Sequence, residues 1–306
     1  LLLFLISLNN VKILYICFWK IKTFDHSLIM NLKKTLLTIT FILLATCIYA
    51  SSPKRIITLN GSLTETVDAL GYGKDIVAVD ITSQYPIYVG NLPKVSKSRS
   101  VSAEGIISFK PDLVLAPEGT INKALEFQLK SAGINVVNIK QDFTVEGTYA
   151  FIRTVAMALG DPSRGEQLIK VTKINIAKSL MVVKANKKAP KVLFIYARGT
   201  GVMMVAGTKT SMDAMIKLAG GKNAAQGFEE YKPYTTESLV AANPDVILMF
   251  DFGFKSLGGA ESILKMPGVA LTNAGKNKRI IEMDGNLLTG FSTRLPQAIQ
   301  QLNSKW

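Results

Sequence analysis

From residue 54 onward, short unbroken apolar runs alternate with stretches of helical spacing. Residues 54–59 (Lys-Arg-Ile-Ile-Thr-Leu) read as a strand broken by Asn60-Gly61-Ser62. Over 63–70, Leu63, Val67 and Leu70 then return on one helical face. Gly71 and Gly73 stop that helix, and 76–79 is a second strand. There follow a helix over 105–109, a Pro111-Asp112 turn and a strand over 113–116. A helix over 124–131, closed by Gly133, and a strand over 135–139 complete the series. Strands without polar alternation, separated by helices, predict an α/β unit with a largely parallel sheet.

Between 144 and 186 the strand signal disappears. Tyr149, Ile152, Ala156 and Leu159 form one face, which Leu168, Val171 and Ile174 continue, and Gly160-Asp161-Pro162 is the main interruption. Asp161 before Pro162 is a helix start. Residues 144–188 are therefore expected to form a long helical connection, kinked or broken at 160–162. Its basic end, 184–191, suits a helix C-terminus and a solvated face equally well. The α/β pattern then restarts, with strands over 191–196, 246–250 and 280–283 and helices over 211–219 and 295–302. The expected architecture is two α/β lobes, 51–143 and 189–306, joined by the segment 144–188.

An internal echo supports equivalent lobes. Ser102-Ala103-Glu104-Gly105-Ile106, then Lys110-Pro111-Asp112-Leu113-Val114-Leu115, matches Thr236-Glu237-Ser238-Leu239, then Asn243-Pro244-Asp245-Val246-Ile247-Leu248. Glu104 and Glu237 are 133 residues apart, and so are Pro111 and Pro244. The shared offset of glutamate, Pro-Asp and strand argues for a repeated unit over chance.

The front of the chain has a different character. From Met30 it runs through Lys33 and Lys34 into a nearly unbroken apolar stretch over 36–49, then Ala50 and Ser51-Ser52. A positive start, a short apolar run and a small residue at the break describe a secretory signal peptide over 30–50, cleaved after Ala50. The apolar run is short for a membrane span of about 20 residues. Leu44-Ala45-Thr46-Cys47 is the alternative, a lipoprotein site. Residues 1–29 read as an upstream extension, or else as an added apolar membrane segment.

Composition matters once that front end is set aside. The 306-residue chain is 48% hydrophobic with a mean hydropathy of +0.25, which excludes a disordered or collagen-like chain. Residues 51–306 hold 31 basic and 21 acidic side chains, net +10. Cys17, Cys47 and His26 all fall before residue 51, so the exported part contains no cysteine and no histidine. Disulfides, Cys-His zinc sites, and Ser-His-Asp or Cys-His catalysis within it are thereby excluded. No paired-carboxylate spacing stands out, and Gly71-Tyr72-Gly73 follows a helix where a dinucleotide fingerprint needs a strand. The basic residues are scattered without the clustered, aromatic-interleaved footprint of nucleic-acid binding. The chain is expected not to be an enzyme.

Taken in order, several stretches carry a resemblance. They are Ile57-Thr58-Leu59-Asn60-Gly61-Ser62-Leu63-Thr64-Glu65, Leu92-Pro93-Lys94-Val95, Ser102-Ala103-Glu104-Gly105-Ile106, Met203-Met204-Val205-Ala206-Gly207-Thr208, Leu218-Ala219-Gly220-Gly221-Lys222-Asn223-Ala224, and Asn243-Pro244-Asp245-Val246-Ile247-Leu248-Met249. Residues 54–303 resemble the periplasmic binding proteins of ABC importers for iron complexes and vitamin B12, and within them the haemin-binding branch. The resemblance implies two Rossmann-like lobes on a helical backbone, with a ligand cleft between them. It also implies a periplasmic, monomeric carrier with no permanent cofactor, which delivers ferric haem b to a permease and its ATPase. A corrinoid or a ferric siderophore is the alternative cargo. Glu104 and Glu237 match the two surface glutamates that family members offer to the permease; helix capping is their ordinary alternative.

The ligand site departs from the family pattern. Where haemin-binding relatives carry a segment resembling Gly-Tyr-x-Arg, this chain has Ser96-Lys97-Ser98-Arg99, so lysine replaces the tyrosine and only Arg99 is kept. The loop expected after the strand ending near Phe250 reads Asp251-Phe252-Gly253-Phe254, without the arginine many relatives place there. Ferric iron accepts tyrosinate, histidine, thiolate or methionine, and two of these are absent from 51–306. The tyrosine candidates are Tyr85, Tyr88, Tyr196 and Tyr231, with Tyr85 the expected ligand to the haem iron. Met203 and Met204 read as core or pocket wall. Lys97 as an iron ligand requires a deprotonated amine, costly for a group with a pKa near 10.4. Arg99 and Arg198 suit the propionates bidentately.

Overall fold

The computed structural model describes residues 3–8, 11–16, 53–98 and 100–306. Leu3–Leu8 (β1) and Val11–Ile16 (β2) pair as an antiparallel ribbon. The expected signal peptide over 30–50 lies outside the described residues, and so does Arg99.

The first lobe is built from β3 (Ile56–Thr58), α1 (Gly61–Val67), β4 (Ile76–Val79), α2 (Ala103–Ile107), β5 (Leu113–Pro117), α3 (Lys123–Ser131) and β6 (Asn135–Ile139). Its four strands lie in the order β4-β3-β5-β6, all parallel. β3 and β5 are buried on both faces, apart from Pro117 at the end of β5, which is why their sequences show no polar alternation. The Asn60 side chain accepts from the Ser62 N–H at 2.8 Å and starts α1. At the other end of this helical stretch Gly71 turns the chain in the left-handed region, φ 85°.

The connection is two helices, α4 (Val145–Ala158) and α5 (Pro162–Ala185). Gly160 reverses the backbone at φ 76°, the Asp161 carboxylate accepts from the Arg164 N–H at 3.0 Å, and Pro162 opens α5. Gly165 lets the helices touch, since a side chain there would collide with Ala156. From α4 and its C-cap, Phe151, Val155 and Leu159 enter the first lobe's core, while Tyr149 and Ile152 enter the second's. The helix pair therefore belongs to both cores.

The second lobe contains β7 (Lys191–Ala197), β8 (Met203–Ala206), α6 (Ser211–Leu218), β9 (Lys222–Asn223), β10 (Tyr231–Pro233), α7 (Thr236–Ala242) and β11 (Val246–Phe250). It continues with α8 (Asp251–Ser256), α9 (Gly259–Leu264), α10 (Asn273–Lys276), β12 (Ile280–Met283), α11 (Gly285–Thr289) and α12 (Leu295–Asn303). The sheet runs β10-β8-β7-β11-β12, with β9 paired to the start of β7. β7, β11 and β12 are parallel, whereas β8 and β10 join antiparallel on one edge. Pro233 is tolerated because β10 is that edge. The stretch expected to be a loop after Phe250 is instead helix α8. Its Gly253 packs on the backbone of Ala197, where a larger residue would press on the β7 carbonyl.

The sequence echo has a structural counterpart. Ser102 and Thr235 cap α2 and α7 through their hydroxyls, and each helix leads by a Pro-Asp step into a buried strand. Asp112 accepts from the backbone of Lys54 and Arg55 at 2.9 and 3.0 Å, and Asp245 accepts from Lys191 at 2.9 Å. In both lobes the aspartate ties the Pro-Asp-led strand to the strand that opens the lobe. The Lys191 N–H and the Asn273 amide hold the Asp245 carboxyl below the usual carboxylate range.

Candidate ligand-binding cleft

Ligands of open parallel sheets bind beyond the carboxyl ends of the strands, and here those ends from both lobes face one space. A cavity of about 850 Å³ lies between the loop after β4 (Ile81, Thr82, Gln84), the ends of β7 and β11, and the start of α11. The first-lobe wall is held from below by buried hydroxyls. Thr58 bonds Thr64 at 2.7 Å, Thr64 bonds Ser83 at 2.8 Å, and Ser83 donates to Asp80 at 2.5 Å. Asn286 donates across the lobes to the Thr82 carbonyl at 2.8 Å.

The second-lobe wall is aromatic. The rings of Tyr196 and Phe252 are 5.8 Å apart, and those of Phe250 and Phe252 5.5 Å. Arg198 lies on this wall, its guanidinium 5.0 Å from the Phe252 centroid. Its Nε donates to the Tyr196 hydroxyl oxygen at 2.6 Å, so positive charge sits beside that oxygen. Met204 and Tyr231 also line the cavity. The phenol of Tyr231 is pushed up, chiefly by desolvation. Two carboxylates, Asp251 and Asp284, complete the lining.

The structure thus brings Tyr196, Arg198 and Tyr231 together and places the other candidates elsewhere. Tyr85 follows Gln84 at the cleft edge with its ring under the Arg294 guanidinium, 3.9 Å from the centroid. Tyr88 donates its phenol to Asp68 at 2.5 Å. Its pKa is raised, by burial first and by Asp68 second, which disfavours the anion an iron ligand must present. Lys97 is exposed in a serine turn where the Ser98 N–H reaches Ser96 Oγ at 3.1 Å. Glu104 and Glu237 are exposed, each in the first turn of its helix.

Sequence reasoning missed the contact that joins the two lobes beside the cleft. Glu65, 4% exposed, pairs with Arg294 of the other lobe and accepts from Ser292 Oγ at 3.2 Å. Beside them Gln141 donates to the Gly290 carbonyl, and Phe143 meets Phe291 edge-on with centroids 5.4 Å apart. Burial pushes the Glu65 carboxyl above the usual carboxylate range, and Arg294 only partly draws it back. The sequence carried no signal of it, because Glu65 falls opposite the apolar face formed by Leu63 and Val67, where a charged residue is ordinary.

The family described as "Periplasmic binding protein" matches residues 56–287. An uncharacterized ABC transporter substrate-binding lipoprotein, YvrC of Bacillus subtilis (strain 168), is 32% identical over 253 residues, 82% of this chain and 79% of that protein. A vitamin B12-binding protein of Vibrio parahaemolyticus serotype O3:K6 is 28% identical over 197 residues, 63% of this chain and 70% of that protein. Among solved structures, the periplasmic heme-binding protein RhuT from Roseiflexus sp. RS-1 in apo form is 40% identical. It superimposes with a TM-score of 0.79, covering 82% of this chain and 97% of that one.

Removing Arg294 leaves a buried carboxylate without its cation. Arg294→Ala is expected to lower stability by about 3–5 kcal/mol at pH 7. Glu65 then takes up a proton at a pH where unfolded carboxyls are still ionised, so the deficit shrinks between pH 7 and pH 5. Denaturant titration of both proteins at the two pH values checks this; an equal deficit at each would place the loss in packing instead.

Proposed function

Because the chain belongs to the periplasmic binding protein family, we propose that it captures haem in the cleft between its lobes and hands it to an ABC importer. It is a periplasmic substrate-binding protein of a transport system and not an enzyme. Its cargo is a small iron or cobalt chelate. The observation that carries the haem reading is the Arg198–Tyr196 contact within an aromatic-walled cavity of about 850 Å³, a size within the range of small-ligand sites. Phe252, 37% exposed, gives the wall apolar surface toward a macrocycle, and the buried Phe250 backs it from the core. On this reading the Tyr196 phenolate is the axial ligand, in place of Tyr85. Arg198 supplies the positive charge that a ligating phenolate calls for. The 40% identity to a heme-binding structure over 82% of this chain supports the same choice.

Asp251 and Asp284 favour a second reading. Carboxylates in the lining repel haem propionates but accept hydrogen bonds from the amide arms of a corrinoid. Titration with haemin, cobinamide and a ferric siderophore separates the cargoes, and haemin is expected to bind tightest. Tyr196→Phe is expected to abolish the phenolate-to-iron charge-transfer band. It should also weaken haemin about ten-fold, the equivalent of about 1.4 kcal/mol. Loss of the band on Tyr85→Phe instead would move the ligand there, and tighter binding of cobinamide would replace haem by a corrinoid.

We also propose that Glu104 and Glu237 dock the two lobes onto basic pockets of the permease. Their support is their equivalent, exposed placement at the starts of α2 and α7. Exposed ion pairs contribute at most about 1 kcal/mol each, so one Glu→Lys reversal should slow uptake about five-fold and both together more. Cargo affinity should stay unchanged. Uptake by the double variant at the wild-type rate would remove the assignment.

A further inference from the structure

Helix α5 carries a face that neither the cleft nor the lobes use. Its buried line is Gly165, Ile169, Thr172, Ile176 and Ser179. At 100° per residue, Ile174 and Met181 stand opposite that line, with Val171 and Val182 on one flank. These four apolar side chains are 49%, 68%, 55% and 52% exposed, respectively. Single exposed apolar residues are ordinary; four on one face of one helix are a patch.

Lysines surround this strip. Lys178 falls within it between Ile174 and Val171, Lys170 borders it beside Met181, and Lys173 and Lys184 follow on that flank, all exposed. From 167 to 191 the chain has no aspartate or glutamate. Among the described residues, none of these four lysines forms an ion pair within 4.0 Å, although Lys173 reaches over the Tyr149 ring at 5.7 Å. The 24 residues of α5 span about 36 Å.

We propose that this outer face of α5 adsorbs to an anionic phospholipid surface, the apolar strip entering the headgroup boundary and the lysines meeting the phosphates. A basic amphipathic helix binds in this way through apolar area plus attraction to anionic lipid. The same charges argue against a second copy of the chain as occupant, because two lysine-rich faces repel each other. A lysine on such a helix can lay its methylene stem on apolar surface and carry its ammonium to the polar side, as an interface between hydrocarbon and water favours. Neither the cleft residues nor Glu104 and Glu237 take part, so cargo binding and permease docking stay independent of adsorption.

The test places an environment-sensitive fluorophore at Met181→Cys in the whole chain carrying Cys17→Ser and Cys47→Ser. The same label at Phe127→Cys, on the exposed side of α3, is the reference. Vesicles of phosphatidylglycerol and phosphatidylcholine are expected to shift the emission at 181 to the blue and leave 127 unchanged. Phosphatidylcholine vesicles alone should shift neither, and high salt should reverse the shift. Each lysine near the surface contributes about five-fold, so Lys170→Glu, Lys178→Glu and Lys184→Glu together should weaken the response by on the order of a hundred-fold or more. Haemin affinity of that variant, compared with wild type, reports that it is folded. No shift at 181 with phosphatidylglycerol overturns the proposal, as does an equal shift at 127. A response to polyglutamate but not to vesicles would also overturn it, and would assign the face to an acidic protein.

Discussion

Glu65 and Arg294 come from opposite lobes, and each gives up its water only because the other is there. A buried ion pair contributes little net stability compared with well-packed apolar residues, but it tolerates almost no change of geometry. Moving the lobes apart by a few ångströms would leave a carboxylate and a guanidinium facing low-dielectric protein with nothing to replace the lost hydration. The neighbouring contacts follow the same line: Ser292 to Glu65, Gln141 to Gly290, Asn286 to Thr82, and Phe143 against Phe291. The helix pair α4 and α5 reinforces it from behind by entering both cores. These contacts hold the walls of the space between the lobes in register, which lowers the ordering cost of binding.

Charge is divided over the molecule in a way that fits this division of labour. The cleft lining holds one guanidinium against two carboxylates, so it is selective toward the charge and hydrogen-bonding pattern of its cargo. The net +10 of residues 51–306 is carried elsewhere, in good part on and after α5. Binding chemistry and surface chemistry thus occupy separate elements of the fold.

Much of the fold was legible because its signals are local. The strands over 76–79, 135–139, 246–250 and 280–283 stand at the residues where their apolar runs placed them. The break at Gly160-Asp161-Pro162 follows from backbone chemistry alone. What escaped was set by tertiary context. β10 contains proline and has no buried residue, so nothing in its pattern marks a strand. α8 begins Asp-Phe-Gly-Phe, and glycine there serves the close approach of β7. The site divides in the same way. Tyr196 and Arg198 could be named from residue type and their place at the end of a strand, and Tyr231 from residue type alone. The Glu65–Arg294 pair could not, because its partners are 229 residues apart. Tyr85 was favoured for its place in a first-lobe loop, but a loop position in sequence does not fix where a ring points. Here Arg294 covers that ring.

A structure of the ferric haemin complex at neutral pH bears most directly on this account. Haemin is expected within the cleft between the two lobes, with iron bonded to the Tyr196 oxygen, Arg198 still donating to that oxygen, and the Glu65–Arg294 pair unbroken. Haemin seated outside the cleft, iron bonded to Tyr85, or lobes that separate with loss of the pair would contradict it.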